Sequence, residues 1–285
     1  MSAAAIDLDH LRTWVGRTEA RSDLVTGVPM AALSATLDRD DPEPVNGTVI
    51  PLLWHWLYFL PLSPLSDAGP DGHPIRGGFL PPVPLPRRMF AGGRFEFHRP
   101  LKVGEAITRT SRITDVSGKE GRSGTLVFVT VRHELAGAAG VAMTEEHDIV
   151  YRENPRADVP APKPQATRAD EVFSREIAPD PVLLFRYSAL TFNSHRIHYD
   201  RPYVTDVEGY PGLIVHGPLI ATLRVDLLRR NVPQANVRSF RFRALRPLFD
   251  IHRFTVCGRA DGKSVALWTR DHEGWLTMEA TAELA

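Results

Sequence analysis

The stretch "FEFHRPL" at 95–101 returns as "FRFRALRPL" at 240–248 once two residues are inserted, about half a chain further on. Each copy begins a run of four segments with strand-like alternation, and each run follows a segment that contains a helix. Agreement in letters together with agreement in element order indicates an internal duplication.

Turns that contain glycine separate the alternating segments, such as "SGKEGRSG" (117–124) and "AGAAG" (136–140), and this arrangement favours antiparallel meanders. The strands predicted from this alternation are 93–98, 106–116, 125–135 and 141–151, followed by 237–245, 250–258, 263–270 and 275–284. A helix is predicted over 23–38, beginning at Asp23, and a loop rich in proline and glycine over 61–93.

An antiparallel sheet with one buried face needs a cover, and the helix in each half can provide it. We therefore expect an α+β fold in which two antiparallel sheets are each covered by a helix and pair edge to edge. The expected organisation is an N-terminal domain at 1–151, a polar, proline-rich linker at 152–170, and a C-terminal domain at 171–285.

Residues 217–230 are predicted to form a helix, because Leu219, Leu223 and Leu227 recur at a spacing of four. Arg224 and Asp226 fall off this stripe and are expected to lie away from the buried face. The helix opens with Gly217 and a proline, which is also a common structural start. Free backbone N–H groups there could bind an anion or a developing oxyanion.

The stretch "TFNSHRIHYD" (191–200) gathers titratable and hydrogen-bonding groups just before this helix. His198 is a natural general base, since a histidine has an unperturbed pKa of ~6.5. Asn193 could orient a water molecule by donating and accepting hydrogen bonds. A solvated polar loop is the alternative interpretation of these residues.

Together, "TFNSHRIHYD" and "GLIVHGPL" (212–219) resemble the MaoC-like hydratase/dehydratase family of hotdog enzymes, which act on acyl thioesters, usually of coenzyme A. The resemblance implies a double hotdog fold, with a degenerate N-terminal hotdog domain at 1–151 that makes room for the acyl group and a catalytic hotdog domain at 171–285. It also implies catalytic roles for Asn193, His198 and Gly217. Asn193 stands where the broad family pattern has aspartate, and Phe192 stands where it has glycine. These departures match the subgroup of mesaconyl-CoA and itaconyl-CoA type hydratases, which "PLLWHWLYFLP" (51–61) also resembles.

The resemblance implies reversible, syn-type hydration of a 2-enoyl-CoA, with a short branched dicarboxylic acyl group such as itaconyl or mesaconyl. A 3-hydroxyacyl-thioester dehydratase of fatty-acid or polyketide type, a hotdog thioesterase and a non-catalytic acyl-CoA-binding protein are the alternatives. Candidate substrate-binding residues are His195, Arg196, Tyr199, His216, Trp54 and Arg186. Three of these, Arg186, His195 and Arg196, could hold a distal carboxylate, whereas Trp54 could line an acyl pocket or simply pack in the core.

Composition restricts the partners of the chain. Its 285 residues carry 34 basic and 34 acidic groups, so the net charge is zero and favours neither nucleic acid nor an anionic membrane. The single cysteine, Cys257, excludes an intramolecular disulfide and is expected to be a small buried residue. No signal peptide is evident, and the apolar run 49–65 is too short to span a bilayer. We expect a cytoplasmic protein, able to form a homodimer, with no metal, nicotinamide or flavin; coenzyme A enters only as part of the substrate.

Overall fold

The computed structural model describes residues 6–75, 77–121, 124–154 and 163–285. The strands are β1 (Thr18–Leu24), β2 (Arg87–Phe97), β3 (Ala106–Gly121), β4 (Gly124–Gly137), β5 (Gly140–Arg152), β6 (Phe173–Ile177), β7 (Val237–Ala244), β8 (Phe254–Asp261), β9 (Ser264–Arg270) and β10 (Leu276–Leu284). The α-helices are α1 (Leu8–Arg12), α2 (Gly27–Thr36), α3 (Pro181–Leu190) and α4 (Gly217–Asn231).

All ten strands join one antiparallel sheet in the order β1-β3-β4-β5-β2-β7-β10-β9-β8-β6. From the centre outward, the first half runs β2-β5-β4-β3-β1 and the second runs β7-β10-β9-β8-β6. Each strand of one half therefore has a counterpart at the same place in the other. The predicted repetition of elements and the predicted edge-to-edge pairing are both confirmed.

The seam between β2 and β7 is formed by the repeated motif itself. Phe95 lies opposite Phe240, and Gly93 lies opposite Phe242. A Cβ atom at Gly92 would lie 2.6 Å from the Phe242 carbonyl oxygen, so only glycine fits where the two strands approach. The aromatic rings of both copies consequently pack together at the middle of the sheet.

The start of the first predicted helix is wrong. The residues around Asp23 belong to β1, which pairs with β3, and α2 begins only at Gly27. Asp23 accepts the backbone N–H groups of Leu24 and Phe59 instead of capping a helix. Short propensity signals cannot anticipate such pairing with a distant strand.

Other boundaries also differ from the prediction. Strand β2 begins at Arg87, inside the stretch predicted to be a loop, because it pairs along most of β5. The strand predicted over 250–258 begins at Phe254. Residues 155–162 of the expected linker lie outside the described residues.

Helix α4 is buried on more sides than its leucine stripe predicts. Leu219, Leu223 and Leu227 are buried as expected, but Arg224 and Asp226 are also buried, with 0% and 3% of their surface exposed. The expectation that these two charges lie away from the core is wrong. The reason is that α4 packs on β8 of its own half and also against the chain that follows α2 in the other half.

Two smaller expectations can be compared with the structure. Cys257 is completely buried in β8, as predicted. Within the described ranges, no helix combines the length and the apolar character that a membrane crossing requires.

Candidate active site

The site begins where α3 ends. Phe192 has a φ of +50°, a left-handed conformation that costs a non-glycine residue about 1–2 kcal/mol. The turn is closed by the N–H of Asn193, which donates to the Ser188 carbonyl at 2.8 Å. The glycine of the broader family pattern would adopt this conformation without strain. Phe192 therefore adopts a backbone conformation that glycine would adopt more readily.

His198 lies at the end of a short 3₁₀ turn, Arg196–His198, and is buried. Its Nδ1 atom is 2.6 Å from the Ile214 carbonyl oxygen. Because a carbonyl can only accept, Nδ1 carries the proton and Nε2 is left as the acceptor. Burial lowers the pKa of His198 to about 4, against the opposing effect of this hydrogen bond. At neutral pH the imidazole is therefore an uncharged base.

His216 supports this ring from behind. The two imidazoles stack with centroids 3.7 Å apart and an angle of 20° between their planes. His216 is fully buried, and its Nε2 lies 2.8 Å from the Ser188 hydroxyl. Burial, and to a smaller extent the proximity of the titratable rings of His198 and His195, lowers the pKa of His216 well below its usual value. Since His216 directly precedes Gly217, the stacking places His198 beside the start of α4.

Packing within the protein does not require glycine at position 217. Its φ is not in the left-handed region, and a Cβ atom there would meet only the Phe90 ring edge, at 3.9 Å. His216, the N-cap residue, makes no capping hydrogen bond through its side chain. A helix start with uncapped N–H groups and no side chain at its first residue suits the close approach of an anionic oxygen.

Asn193 lies in the same loop as His198. Its Oδ1 accepts the backbone N–H of His195 at 3.0 Å, which fixes the orientation of the amide. The amide nitrogen is a donor, so it is the atom suited to contact a water oxygen. His195 itself meets His198 edge to face, with centroids 5.5 Å apart.

Two further predicted binding residues have structural partners. Arg196 donates through Nε and Nη2 to the Asp200 carboxylate and through Nη1 to the Pro70 carbonyl. Tyr199 is half exposed, and its hydroxyl donates to the Ser194 carbonyl. Arg196 was predicted to hold a distal carboxylate of the substrate, but its guanidinium is already paired with a carboxylate of the protein, that of Asp200.

The remaining three predicted binding residues have different surroundings. Trp54 is 3% exposed and packs in the core beneath the Arg229 guanidinium, which corresponds to the core-packing alternative. Arg186 lies on the exposed side of α3. His216 stacks on His198 and is therefore part of the site. Burial and helix phase determine where the Trp54 and Arg186 side chains point, and the sequence patterns that suggested these residues do not reveal either.

The structure also reveals a buried polar cluster that the sequence analysis missed. Glu145 accepts from His55 at 2.9 Å and from the Trp56 indole at 2.8 Å, and it also contacts His147. Burial alone would raise the pKa of the Glu145 carboxyl, but the charges and hydrogen bonds of His147 and His55 outweigh it and hold this pKa well below its usual value.

The cluster reaches the site through Phe90. The Phe90 ring lies 4.6 Å from His147, and it is also the group nearest to the missing Cβ of Gly217. The first half of the chain therefore forms the wall opposite the helix start. The signal in the sequence was the spacing of Glu145 and His147, which places both on one face of a predicted strand.

A loop of the first half covers the motif loop. A Cβ atom at Gly72, whose φ is +87°, would lie 2.0 Å from the Ser194 carbonyl oxygen, and the Ser194 hydroxyl donates to the Gly72 carbonyl at 2.6 Å. Asp71, His73 and His195 offer potential metal-ligand atoms within 4.8 Å of one another. The hydrogen bonds from His73 to Asp71 account for their grouping without an ion.

Comparison with known proteins agrees with this geometry. The fold is that of the MaoC-like hotdog dehydratases: one such dehydratase superposes with a TM-score of 0.69 over 96% of this chain and 99% of its own, at 16% identity. HtdX of Mycobacterium tuberculosis superposes with a TM-score of 0.64 over 94% of this chain and 100% of its own, also at 16% identity.

Residues 53–250 match the family model of hydroxyacyl-thioester dehydratase type 2, and the chain belongs to this family. It is 47% identical to the mesaconyl-C(4)-CoA hydratase of Chloroflexus aurantiacus, over 95% of this chain and 96% of the relative. The mitochondrial hydroxyacyl-thioester dehydratase type 2 of Schizosaccharomyces pombe is 28% identical, over 82% of this chain and 88% of the relative. The protein is therefore an enzyme of the hydro-lyase class.

Proposed function

We propose that this enzyme reversibly hydrates a short, branched enoyl-CoA thioester with a second carboxylate, and that mesaconyl-C4-CoA is its substrate. The support for the substrate is the 47% identity, along nearly the whole chain, to a hydratase of that name. The observation that carries the reaction is His198, held as a neutral base beside the uncapped start of α4.

In this proposal the thioester carbonyl oxygen lies against the backbone N–H of Gly217. The absence of a side chain there lets the thioester approach the helix start closely. As water adds to Cβ, negative charge develops on the carbonyl oxygen, and a donor already in position stabilises that charge without reorganisation.

His198 then acts as the general base. Its Nε2 accepts a proton from water while the water oxygen bonds to Cβ, and the electron pair of the C=C bond moves towards Cα and the carbonyl. The Nδ1 hydrogen bond to Ile214 keeps Nε2 directed at the reacting water and stabilises the imidazolium that forms. Asn193 orients the water through its amide nitrogen.

The reaction is completed when Cα takes up a proton and the enolate collapses to the thioester. The imidazolium can return the same proton directly or through water, and direct return places H and OH on one face of the substrate. The net change is addition of one water to one double bond. Asn193 cannot exchange a proton as an aspartate could, so the proposal needs a single base.

A second candidate is a 3-hydroxyacyl-thioester dehydratase that acts on an acyl-carrier protein. The match to the family model over 53–250 favours it, because that family is described by hydroxyacyl-thioester dehydration. The chemistry is the same reaction in the opposite direction, so the candidates differ in the carrier and the acyl group.

A substrate panel separates these functions. Purified enzyme is mixed with mesaconyl-C4-CoA, itaconyl-CoA, crotonyl-CoA, a longer enoyl-CoA and an enoyl-acyl-carrier protein, and loss of enoyl absorbance and release of free thiol are both followed. We expect the highest kcat/KM for mesaconyl-C4-CoA without thiol release. A preference for the carrier protein would favour the second candidate, and thiol release would indicate a thioesterase.

The proposed base is tested by His198→Ala. Because general acid–base groups contribute about 10²–10⁴-fold, kcat should fall within this range while the circular dichroism spectrum is unchanged. His272→Ala, at an exposed histidine in the turn between β9 and β10, is the matched control and should retain full activity. Hydration by His198→Ala at the rate of this control would exclude His198 as the base.

A further inference from the structure

Arg224, in the middle of α4, is completely buried and has no ionic partner. Among the described residues, no group accepts a hydrogen bond from its Nε, Nη1 or Nη2 atoms. Its guanidinium carbon lies over the Phe242 ring, 5.9 Å from the ring centroid. Burial lowers the pKa of Arg224 to about 9, so the group still carries its charge at neutral pH. A buried, unpaired cation of this kind is costly to keep.

The carboxylate that most affects Arg224 does not form an ion pair with its guanidinium. Glu279, the one carboxylate that raises the pKa of Arg224, lies on the outer side of β10 and is bound to Arg243 there. The two arginines first considered for a substrate carboxylate are unsuitable, because Arg196 is paired with Asp200 and Arg186 is exposed. Within the described chain, Arg224 is thus the buried guanidinium that lacks an anion.

An apolar path of aromatic rings leads from Gly217 to Arg224. The Phe90 ring edge lies where a Cβ of Gly217 would make contact, and the Phe90 and Phe242 rings meet edge to face with centroids 5.3 Å apart. The Phe242 ring in turn faces Arg224. One wall therefore connects the proposed oxyanion donor to the unpaired cation.

Helix geometry places Gly217 and Arg224 close enough for one small acyl group to contact both. Positions 217 and 224 are seven residues apart, so they lie on one side of α4 and about 10 Å apart along its axis. Long side chains on a helix lean towards its N-terminus, which brings the Arg224 guanidinium closer to Gly217. In mesaconyl-C4-CoA three bonds separate the thioester carbon from the carboxylate carbon, a span of about 4 Å.

We propose that Arg224 binds the carboxylate that the substrate carries at Cβ, opposite the thioester held at Gly217. This assignment rests on the proposed hydration of a dicarboxylic enoyl-CoA and identifies the residue that selects it. A guanidinium and a carboxylate form two parallel charge-assisted hydrogen bonds, which fix the acyl group as well as attract it. A substrate with a methyl group in place of the carboxylate leaves Arg224 unpaired and is rejected.

The test compares two substrates of nearly equal shape, mesaconyl-C4-CoA and 3-methylcrotonyl-CoA, in which a methyl group replaces the carboxylate. In Arg224→Leu, kcat/KM for mesaconyl-C4-CoA should fall about 10²–10³-fold, as when one partner of a buried charge pair is removed. The value for 3-methylcrotonyl-CoA should be unchanged or higher. Arg12→Leu, at an exposed arginine of α1, is the matched control and should change neither value.

A second measurement separates binding from structure. The melting temperature of Arg224→Leu without ligand should equal or exceed that of the wild type, because an apolar side chain replaces an unpaired buried charge. A lower melting temperature with equal losses on both substrates would show that Arg224 only supports the fold, and would overturn the assignment.

Binding without turnover distinguishes this inference from the proposed reaction. Stabilisation of the wild type by mesaconyl-C4-CoA that is lost in Arg224→Leu supports the assignment, even if no hydration occurs and the proposed function fails. Equal stabilisation of both proteins overturns the assignment and leaves the reaction in place. If the substrate preference changes in Arg88→Gln and not in Arg224→Leu, the carboxylate binds at Arg88, near His195, and the assignment is wrong.

Discussion

Two buried charged residues on α4 differ in whether the protein provides an ionic partner for them. Asp226, in the second half of α4, is bound by Arg39 at 2.6 Å, Arg175 at 3.0 Å and Arg230 at 2.7 Å. Arg224, two residues earlier, has no carboxylate or carbonyl partner among the described residues. Both charges are almost fully excluded from solvent, so the difference lies in whether the folded chain supplies the opposite charge.

This difference divides α4 into two regions. At its C-terminal end the charges are satisfied within the protein, and Arg39 carries the connection across to the first half. From its start to its middle, Gly217 and Arg224 carry N–H donors without an acceptor among the described residues. The first region stabilises the fold, whereas in our proposal the second gains its partners when a substrate binds.

The largest effect on stability is expected at Asp226. In Asp226→Ala three arginines lose their common acceptor, and removing one partner of a buried ion pair costs about 3–5 kcal/mol. Urea denaturation should show this loss in the free energy of unfolding, while kcat of the fraction that remains folded changes little. Glu176→Ala, which breaks the exposed pair with Arg253, should change stability by less than about 1 kcal/mol. Equal losses in both variants would contradict the division of α4.

The opposite outcome is expected at Gly217. In Gly217→Ala the new methyl group meets only Phe90 at an ordinary distance, so the melting temperature should be unchanged or higher. Alanine keeps the backbone N–H, but its methyl group at the helix start keeps the thioester oxygen away from that donor. Since an oxyanion donor contributes about 10²–10³-fold, kcat should fall by up to this factor. Wild-type turnover in this variant would show that no reacting oxygen approaches there. A loss of stability would show that Gly217 is a packing residue.

The pH dependence should separate stability from activity. Four histidines, two of them buried and two partly buried, have pKa values lowered chiefly by loss of solvent: His133 to about 3, His198 to about 4, and His195 and His216 also below their usual value. In the unfolded chain these groups take up protons as pH falls through ~6.5. The folded state does not, so the free energy of unfolding falls between pH 7 and pH 5, by up to about 1.4 kcal/mol per pH unit for each group.

Activity should not follow this fall. Because the pKa of His198 is about 4 in the folded enzyme, kcat of the native protein stays level from pH 7 to pH 5. Urea midpoints and initial rates measured in the same buffers test both statements. A loss of kcat with an apparent pKa near 6.5, or a urea midpoint that rises as pH falls, would contradict the buried neutral state of the histidines.

Local features were predictable from the sequence where chain neighbours determine them. The alternation of β3, β4, β9 and β10, the start of α4 at Gly217, and the repeated motif that forms the seam all follow from residues close together in the chain. Asn193, His198 and Gly217 were selected as a group through a family resemblance, and the structure places His198 beside the start of α4. Their catalytic roles stay predictions until the variants are measured.

What the sequence did not reveal depends on contacts between residues that are far apart in the chain. The last two residues of β1, Asp23 and Leu24, were assigned to a helix because their partner strand β3 lies more than eighty residues away. Glu145 looked like one of many acidic residues until the fold placed two histidines and an indole around it. Arg224 was assigned to an outer face because helix periodicity cannot indicate that a second half of the chain covers that face.

The pairing of β2 with β7 has a consequence for how such an enzyme can change over generations. Phe90 and Gly217 face each other, yet they are encoded in different halves of one duplicated chain. If two identical half-length chains paired instead, every substitution would appear on both sides of the cleft at once. In the fused chain each side can vary alone, so the range of acyl groups can drift through the first half while the residues around the thioester stay as they are.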